Sequence, residues 1–205
     1  SSSPVMACHP DTSTRTLPLD LASPFEFAAT YLNTLRIVVV SASGNESHKD
    51  GLSSPSCAPA IFSVGATDEL NNVVDYSNSA GFLDIVAPGQ WITSANWKNG
   101  HSAGFIKLRG TSMAAPHVAG AVAVLRQADP NASPGELANA LRRSGPIVQD
   151  TSNGIKKPRL NVAAALRLLN IDFGDVDNDA GPPRGDQTPN PKPLEPGKWQ
   201  SITGN

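Results

Sequence analysis

The first half of the chain carries helix and strand patterns in turn. A helix is predicted to begin at the capping box Ser23–Glu26, because the side chain at each end of the box can hydrogen-bond the other's backbone. The β-branched run Arg36–Val40 follows, and such an unbroken run is typical of a parallel strand buried on both faces. Two shorter strands are predicted at Ile61–Ala66 and Leu83–Val86, with turn residues between them.

A long helical pattern from Thr111 to Gln127 dominates the second half. It is apolar on nearly all sides and rich in Ala and Gly, which predicts a central, enclosed helix rather than a surface one. A second capping box, Ser133–Glu136, predicts a helix through Arg143, whose charge suits a helix C-terminus. The last helix is predicted from Val162 to Leu169, capped by Asn161.

The composition changes near the C-terminus. Residues 172–205 contain six Pro and five Gly, few large apolar residues and no periodicity, which predicts a disordered tail or linker. The acidic alternation that begins at Asp175 also invites a calcium-loop interpretation. That loop would need Gly and Glu where this chain has Ala180 and Asp186, so we interpret the segment as solvated linker.

Composition and charge exclude several classes of partner. Of the 205 residues, 39% are hydrophobic and 17% charged, and the net charge is −2 with no Lys/Arg-rich run. Nucleic acids and acidic membranes are therefore poor candidates. The longest apolar stretches, 37–40 and 118–125, are too short to span a bilayer. Cys8 and Cys57 match no zinc spacing, and composition leaves open whether they are free thiols or one disulfide.

The strongest candidate chemistry lies in the stretch Gly110–Gly120. It places Ser112 where a glycine turn leads into the first turn of the long helix. Unpaired backbone amides and the helix dipole favour negative charge there. A tetrahedral oxyanion formed by attack of Ser112 would meet donors already aimed at it. Pro116 is tolerated only within this first turn, where its missing amide costs little. The pattern suits nucleophilic catalysis by Ser112, although a lone Ser at a helix start is more often just a cap.

A second stretch, Val38–Glu46, ends a strand in a glycine turn that projects the side-chain amide of Asn45. Together with Gly110–Gly120, it resembles the oxyanion-hole and serine motifs of the subtilisin-like serine peptidases, the subtilases. The resemblance covers roughly residues 5–169 and starts well inside the family's domain. Three further stretches share it and look like scaffold: Ser63–Thr67, Tyr76–Asn78 and Asp84–Gly89.

The resemblance implies an α/β fold, namely a three-layer subtilisin-like domain with a mostly parallel sheet and a central buried helix, incomplete at its N-terminal side. Residues 1–170 would be the C-terminal portion of the catalytic domain, and 171–205 the tail or linker. A disulfide between Cys8 and Cys57 is also implied, and with it an extracellular or periplasmic location. No cofactor or metal ligand set is identifiable, and structural calcium is implied by the family alone.

The same resemblance assigns roles to individual residues. Ser112 would be the nucleophile and Asn45 an oxyanion-hole donor. One wall of the pocket for the substrate side chain would be lined by Ser41, Ala42, Ser43 and Gly44.

The family's catalytic Asp and His precede its Ser in chain order, and neither motif occurs upstream of Asn45. His9 lies there in loop-like context, whereas His117 belongs to the serine motif and is interpreted as structural. We therefore predict a serine endopeptidase that hydrolyses polypeptides through an acyl-enzyme on Ser112. Its Asp and His are expected in the upstream part of the same domain, so the segment alone would be inactive. The alternative is a binding or structural protein on a subtilase scaffold that lost the triad.

Overall fold

The computed structural model describes residues 7–8, 24–98 and 101–169. Four helices lie within these ranges: Pro24–Thr34 (α1), Thr111–Ala128 (α2), Pro134–Ser144 (α3) and Val162–Leu168 (α4). The strands of the same ranges are Ala7–Cys8 (β1), Val39–Ala42 (β2), Leu52–Ser53 (β3), Ile61–Thr67 (β4), Ile85–Pro88 (β5), Ile92–Lys98 (β6), His101–Leu108 (β7), Ile147–Gln149 (β8) and Lys156–Pro158 (β9).

A parallel sheet in the order β2-β4-β5 forms the framework. Val39 of β2 lies opposite Ile61 of β4, and Val64 of β4 lies opposite Ile85 of β5. Every residue of β4 is buried, as expected for a central parallel strand covered on both faces. The strand predicted at residues 36–40 begins later, at Val39, because the chain must first leave α1.

The exit from α1 explains that shift. The helix ends at Thr34, and Arg36 adopts a left-handed conformation with φ 64°. Ile37 then donates its N–H to Leu32 O at 3.0 Å, which closes the helix end before the strand can start. The residues that directly follow the helix are thus used for the turn.

Helix α2 packs across all three strands of the sheet and also contacts α3 and α4. One face of it is buried in the main hydrophobic core, through Thr111, Ala114, Val118, Ala121 and Leu125. The opposite face is exposed within the described residues, through Ser112, His117, Gly120 and Val124. The helix is therefore central to the packing, and the predicted enclosure holds for one face only.

The two helices after α2 start as their capping signals predict. The side chain of Ser133 accepts from the Glu136 N–H at 3.2 Å, and Glu136 Oε2 accepts from the Ser133 N–H at 2.7 Å. Asn161 Oδ1 accepts from the Ala164 N–H at 3.0 Å at the start of α4. Both caps satisfy amides that the helix itself leaves unpaired.

Three two-stranded pairs complete the described structure: β1 with β3, β6 with β7, and β8 with β9. The β6–β7 pair was not predicted from the sequence, and residues 95–105 within it belong to a second compact unit. None of the described helices is long and apolar enough to cross a membrane. The predicted tail at 171–205, the acidic alternation within it and His9 lie outside the described residues, as does the side chain of Cys8.

Candidate active site

The turn after β2 presents Asn45 to the start of α2. Ser43 donates its N–H to Val64 O at 2.9 Å, and Gly44 then adopts a left-handed conformation with φ 109°, which favours glycine. Asn45 Oδ1 accepts from the Thr111 N–H at 2.8 Å and from the Thr111 hydroxyl at 3.0 Å. A backbone N–H can only donate, so the amide oxygen must face Thr111. The Nδ2 group is left to donate elsewhere, and no described residue accepts from it.

Ser112 lies in the first turn of α2, where backbone amides lack helical acceptors. Gly110 is the N-cap residue, with φ 150° and ψ 160°, and provides no side-chain cap. The Thr111 amide donates to Asn45 and the Met113 amide to Gly110 O at 2.9 Å, whereas no described acceptor is bonded to the Ser112 N–H. The Ser112 side chain is exposed. A second donor therefore lies at the helix start, beside an exposed hydroxyl.

Two amide donors without described acceptors, next to a serine hydroxyl, suit acyl transfer. Attack of a serine on a carbonyl group places negative charge on the carbonyl oxygen, and donors that are already oriented stabilise it without reorganisation. The dipole of α2 favours negative charge at the same end of the helix. The packing of the turn after β2 against α2 thus brings together Asn45 and Ser112, which are far apart in the chain and were predicted to share one site.

The histidine side chains that the structure describes do not activate Ser112. His117 Nδ1 lies 2.8 Å from Met113 O, one turn earlier in α2, and this contact supports its interpretation as structural. His48 makes a backbone contact, donating its N–H to Asn78 Oδ1 at 2.9 Å. Neither hydrogen-bonds to the Ser112 hydroxyl. Within the described residues, the candidate site therefore consists of a serine hydroxyl and two amide donors without described acceptors.

Sequence comparison places this scaffold among known proteins. The profile of the subtilase family matches residues 11–171. The chain belongs to the subtilase family. Subtilisin BL of Lederbergia lenta is 36% identical over 154 residues, which cover 73% of this chain and 55% of the relative. The extracellular serine proteinase of Thermus sp. (strain Rt41A) is 41% identical over 105 residues, or 51% of this chain and 25% of the relative. The chain thus spans about half the length of subtilisin BL.

Solved subtilase structures agree with the predicted fold. The prenylagaramide maturation protease PagA superposes with a TM-score of 0.61 at 30% identity, over 70% of this chain and 54% of that one. A protease of Pseudoalteromonas arctica superposes with a TM-score of 0.61 at 28% identity, over 69% of this chain and 45% of that one. These likenesses confirm the subtilisin-like α/β fold, over part of the length of each relative.

Thr111 has a role in this subtilase site that sequence reasoning missed. Its side chain is fully buried, and its hydroxyl accepts from the Gly44 N–H at 3.2 Å while donating to Asn45 Oδ1. One hydroxyl thus joins the turn after β2 to the start of α2. The serine motif contains Thr111, but its partners lie in a much earlier part of the chain, so no local pattern indicates this role.

Asn78 is a second missed residue, and it holds the turn from behind. It is fully buried, and its Nδ2 lies 2.7 Å from Glu46 Oε2 and 2.9 Å from Ser53 Oγ. Its Oδ1 accepts from the Glu46 N–H at 3.1 Å. A Cβ on Gly44 would overlap all three of these side chains, so glycine is required by space as well as by φ. Asn78 was predicted to be scaffold without chemistry, and its contacts show that this scaffold supports the site directly.

The carboxylate of Glu46 is ionised in this network. Burial alone would raise the pKa of Glu46, but hydrogen bonds from Ser53 and Asn78 outweigh burial and hold that pKa below its ordinary value. The charged carboxylate is therefore a steady acceptor for both donors. Because Glu46 directly follows Asn45, these hydrogen bonds restrict the backbone on one side of Asn45.

The predicted wall of the substrate pocket runs from the end of β2 into the turn. Ser41 and Ala42 are half-buried, and the backbone of Gly44 is partly accessible. Ser43 is fully buried instead, and its hydroxyl donates to Asn78 O at 2.9 Å. Its side chain is thus directed into the protein, so Ser43 offers a substrate its backbone at most.

The described residues contain no group of three or more His, Cys, Asp or Glu side chains arranged to hold a metal ion.

Proposed function

We propose that the protein is a serine endopeptidase that hydrolyses polypeptides through an acyl-enzyme on Ser112. The Ser112 Oγ attacks the carbonyl carbon of the scissile bond, and a histidine supplied by the upstream part of the domain takes its proton. Asn45 Nδ2 and the Ser112 N–H hold the oxyanion of the tetrahedral intermediate. The intermediate collapses as the histidine returns the proton to the leaving amine, and water then releases the acyl group by the same steps.

One observation carries this proposal. Thr111 occupies both acceptor directions of Asn45 Oδ1 and so orients the amide, leaving Nδ2 and the Ser112 N–H as donors without described acceptors. A turn asparagine that served only to cap α2 would need the oxygen alone. An oriented donor beside a helix-start serine is what acyl transfer requires.

An upstream segment is proposed to supply the catalytic Asp and His and to pack against two surfaces of the described chain. Strand β2 pairs with β4 on one side and has no other strand neighbour among the described residues. Its residues are apolar or small, yet none is fully buried. An open, apolar strand edge invites a further strand. The exposed face of α2, which carries Ser112, is the second surface.

The proposed location is outside the cytoplasm, with a disulfide between Cys8 and Cys57. Strand β1 pairs with β3 so that Cys8 lies opposite Leu52, five residues before Cys57. No cysteine among the described residues is free. A bridge here would persist in an oxidising compartment. By the loop-closure argument, it would stabilise the fold by roughly 4 kcal/mol.

The test is active-site labelling and peptide cleavage by the full-length protein from its native source. We expect a fluorophosphonate probe to label Ser112, and Ser112→Ala to abolish both labelling and cleavage. Asn45→Ala should lower kcat by about 10²–10³, a magnitude known from a subtilisin rather than worked out from this structure. If the full-length protein is folded but is neither labelled by the probe nor able to cleave peptides, the endopeptidase proposal is wrong. The protein would then be a binding or structural protein on the same scaffold.

A further inference from the structure

A cavity of about 540 Å³ lies beside the start of α2, and neither Asn45 nor Ser112 lines it. Its lining includes Ser47, Asp75, Tyr76, Gln90, Arg109 and Thr151. A volume of this size is typical of ligand pockets. Arg109 comes three residues before Ser112, so the cavity and the nucleophile share one stretch of chain.

Hydrogen bonds connect the cavity lining to the turn that carries Asn45 and to the start of α2. On one side, Ser47 donates its N–H to Tyr76 O at 3.1 Å, two residues after Asn45. On the other side, the Tyr76 hydroxyl donates to the carbonyl oxygen of Gly89 at 3.1 Å. That carbonyl oxygen also accepts from the Gly110 N–H at 2.9 Å. The cavity wall is thus connected to the Asn45 turn and to the start of α2.

Arg109 is the cation of this cavity, and aromatic rings hold it in place. Its guanidinium lies 5.9 Å from the ring centroid of Tyr76 and 5.2 Å from that of Trp91. Trp91 is 56% exposed and adopts a left-handed backbone conformation with φ 54°. A non-glycine residue held in this conformation is strained, and such strain clusters at ligand sites. Two rings fix the position of the cation while it stays open to solvent.

The guanidinium has no carboxylate partner among the described residues. The Arg109 side chain also donates no hydrogen bond to a described residue, so its N–H groups stay available as donors. Arg presents these donors as a planar fork that matches a carboxylate with two parallel bonds. An exposed, pre-oriented Arg without an ion pair is therefore suited to a carboxylate brought by a ligand.

Two carboxylates of the chain also line the cavity. Asp68 accepts from the Leu70 N–H at 2.9 Å and from the Asn72 N–H at 2.8 Å, so its charge is engaged by its own loop. Asp75 is exposed and opposes the charge of Arg109 without lying within ion-pair distance of it. A ligand carboxylate at Arg109 must therefore approach against the field of Asp75.

We propose that Arg109 binds the carboxylate of an acidic side chain close to the scissile bond of the polypeptide substrate. The inference rests on the proposed endopeptidase function and names its substrate class: polypeptides with Glu or Asp at one position beside the cleaved bond. The rings of Tyr76 and Trp91 position the guanidinium, and the cavity receives the side chain. The negative charge of Asp75 weakens the preference for acidic side chains that Arg109 creates.

The test compares internally quenched peptides that differ only in Glu or Gln at one position, for each of the three positions on either side of the cleaved bond. With the full-length enzyme at low salt, we expect Glu to raise kcat/KM by about fivefold at one position. Arg109→Gln should equalise the two peptides, Arg109→Lys should keep part of the preference, and Asp75→Asn should increase it. The preference should fall as NaCl is added, since salt screens exposed charges. Equal kcat/KM for Glu and Gln at every position, or a Glu preference unchanged by Arg109→Gln, overturns the inference.

A binding measurement separates this inference from the proposed function. Fluorescence anisotropy of the same labelled peptides with full-length Ser112→Ala protein reports binding without cleavage. If binding favours the Glu peptide and Arg109→Gln removes that preference, while the wild-type protein cleaves none of the peptides, the carboxylate site is supported and the peptidase function is refuted. Cleavage without any Arg109-dependent preference, in binding or in kcat/KM, leaves the peptidase standing and refutes the carboxylate site.

Discussion

The buried hydroxyl of Thr111 should contribute to turnover as well as to stability, and Thr111→Val isolates that hydroxyl. Valine keeps the branched shape of threonine while removing both of the hydroxyl's hydrogen bonds. These bonds are the donation to Asn45 Oδ1 at 3.0 Å and the acceptance from the Gly44 N–H at 3.2 Å. The Gly44 amide would lose its acceptor, and Asn45 would be held by the Thr111 N–H alone.

The magnitude follows from these two bonds. Leaving the partly buried Gly44 N–H unsatisfied costs about 1–3 kcal/mol, and the lost bond to Asn45 about 1 kcal/mol, so the free energy of unfolding should fall by about 2–4 kcal/mol. For turnover, loss of about 1 kcal/mol of orientation at the oxyanion donor corresponds to a roughly fivefold to tenfold lower kcat. KM should change little, because the donor acts on the transition state rather than on bound substrate.

Peptide hydrolysis by the full-length protein measures kcat. Urea unfolding of the same variants measures the free energy of unfolding, in a Ser112→Ala background that prevents self-digestion. Thr111→Ser is the matched control, because it keeps the hydroxyl and removes one methyl group. We expect kcat of Thr111→Ser to stay within about twofold of wild type, with a loss of about 1 kcal/mol in stability. A folded Thr111→Val enzyme with wild-type kcat, or a Thr111→Ser enzyme as slow as Thr111→Val, would refute this role of the hydroxyl.

Three further predictions concern the framework of the site. Gly44→Ala should abolish turnover, because its Cβ would overlap the network behind Asn45 and left-handed φ disfavours alanine; cleavage assays of the folded variant check this, and wild-type kcat would contradict it. Asp84→Ala should lower the free energy of unfolding by about 2–4 kcal/mol, because it leaves the buried Ser63 N–H, now 2.8 Å from Asp84 Oδ2, without an acceptor and removes the partly exposed ion pair with Arg142; a loss below about 1 kcal/mol in urea unfolding would contradict it. Burial alone would raise the pKa of Asp150, but hydrogen bonds from the backbone and from Lys49 hold that pKa below its ordinary value. The stability that Asp150 contributes is therefore present above its pKa in the unfolded chain and is lost as pH falls through its pKa in the folded protein. Asp150→Asn should make the free energy of unfolding depend less on pH in the acid range, and an unchanged dependence would contradict this.

Elements with local signals were predicted well from the sequence. The capping box of α3 and the Asn161 cap of α4 depend on residues close to one another in the chain, and both are present in the structure. Strand β4 was also predicted, at Ile61–Ala66, because this apolar run is followed by turn residues. Strand β2 was placed too early because the left-handed turn at Arg36 leaves no pattern that distinguishes it from the apolar run that follows.

The sequence named candidate residues for the site, whose roles stay predictions, but it could not predict the geometry around them. Ser112 and Asn45 stand in local stretches whose residue types indicate their chemistry, and both stretches lie within the family match. The side chains that orient Asn45 come from elsewhere in the chain, since Thr111 belongs to α2 and Asn78 to the loop before β5. Their contacts with the turn arise from the packing of these two elements against it. A single sequence carries no periodicity that records such contacts.

The contacts around Asn45 and Ser112 determine which part of the proposed catalysis this portion of the fold provides. Both proposed oxyanion donors are oriented by bonds among described residues: Thr111 fixes the Asn45 amide, and the start of α2 fixes the Ser112 N–H. Nothing in this arrangement depends on an acid or a base. In the proposed peptidase, oxyanion stabilisation and nucleophile activation would therefore be structurally separate. The first would be formed within this part of the fold, and the second would be supplied by the proposed upstream segment. In a serine peptidase, this separation is the reason that catalysis above the uncatalysed rate survives the loss of triad members.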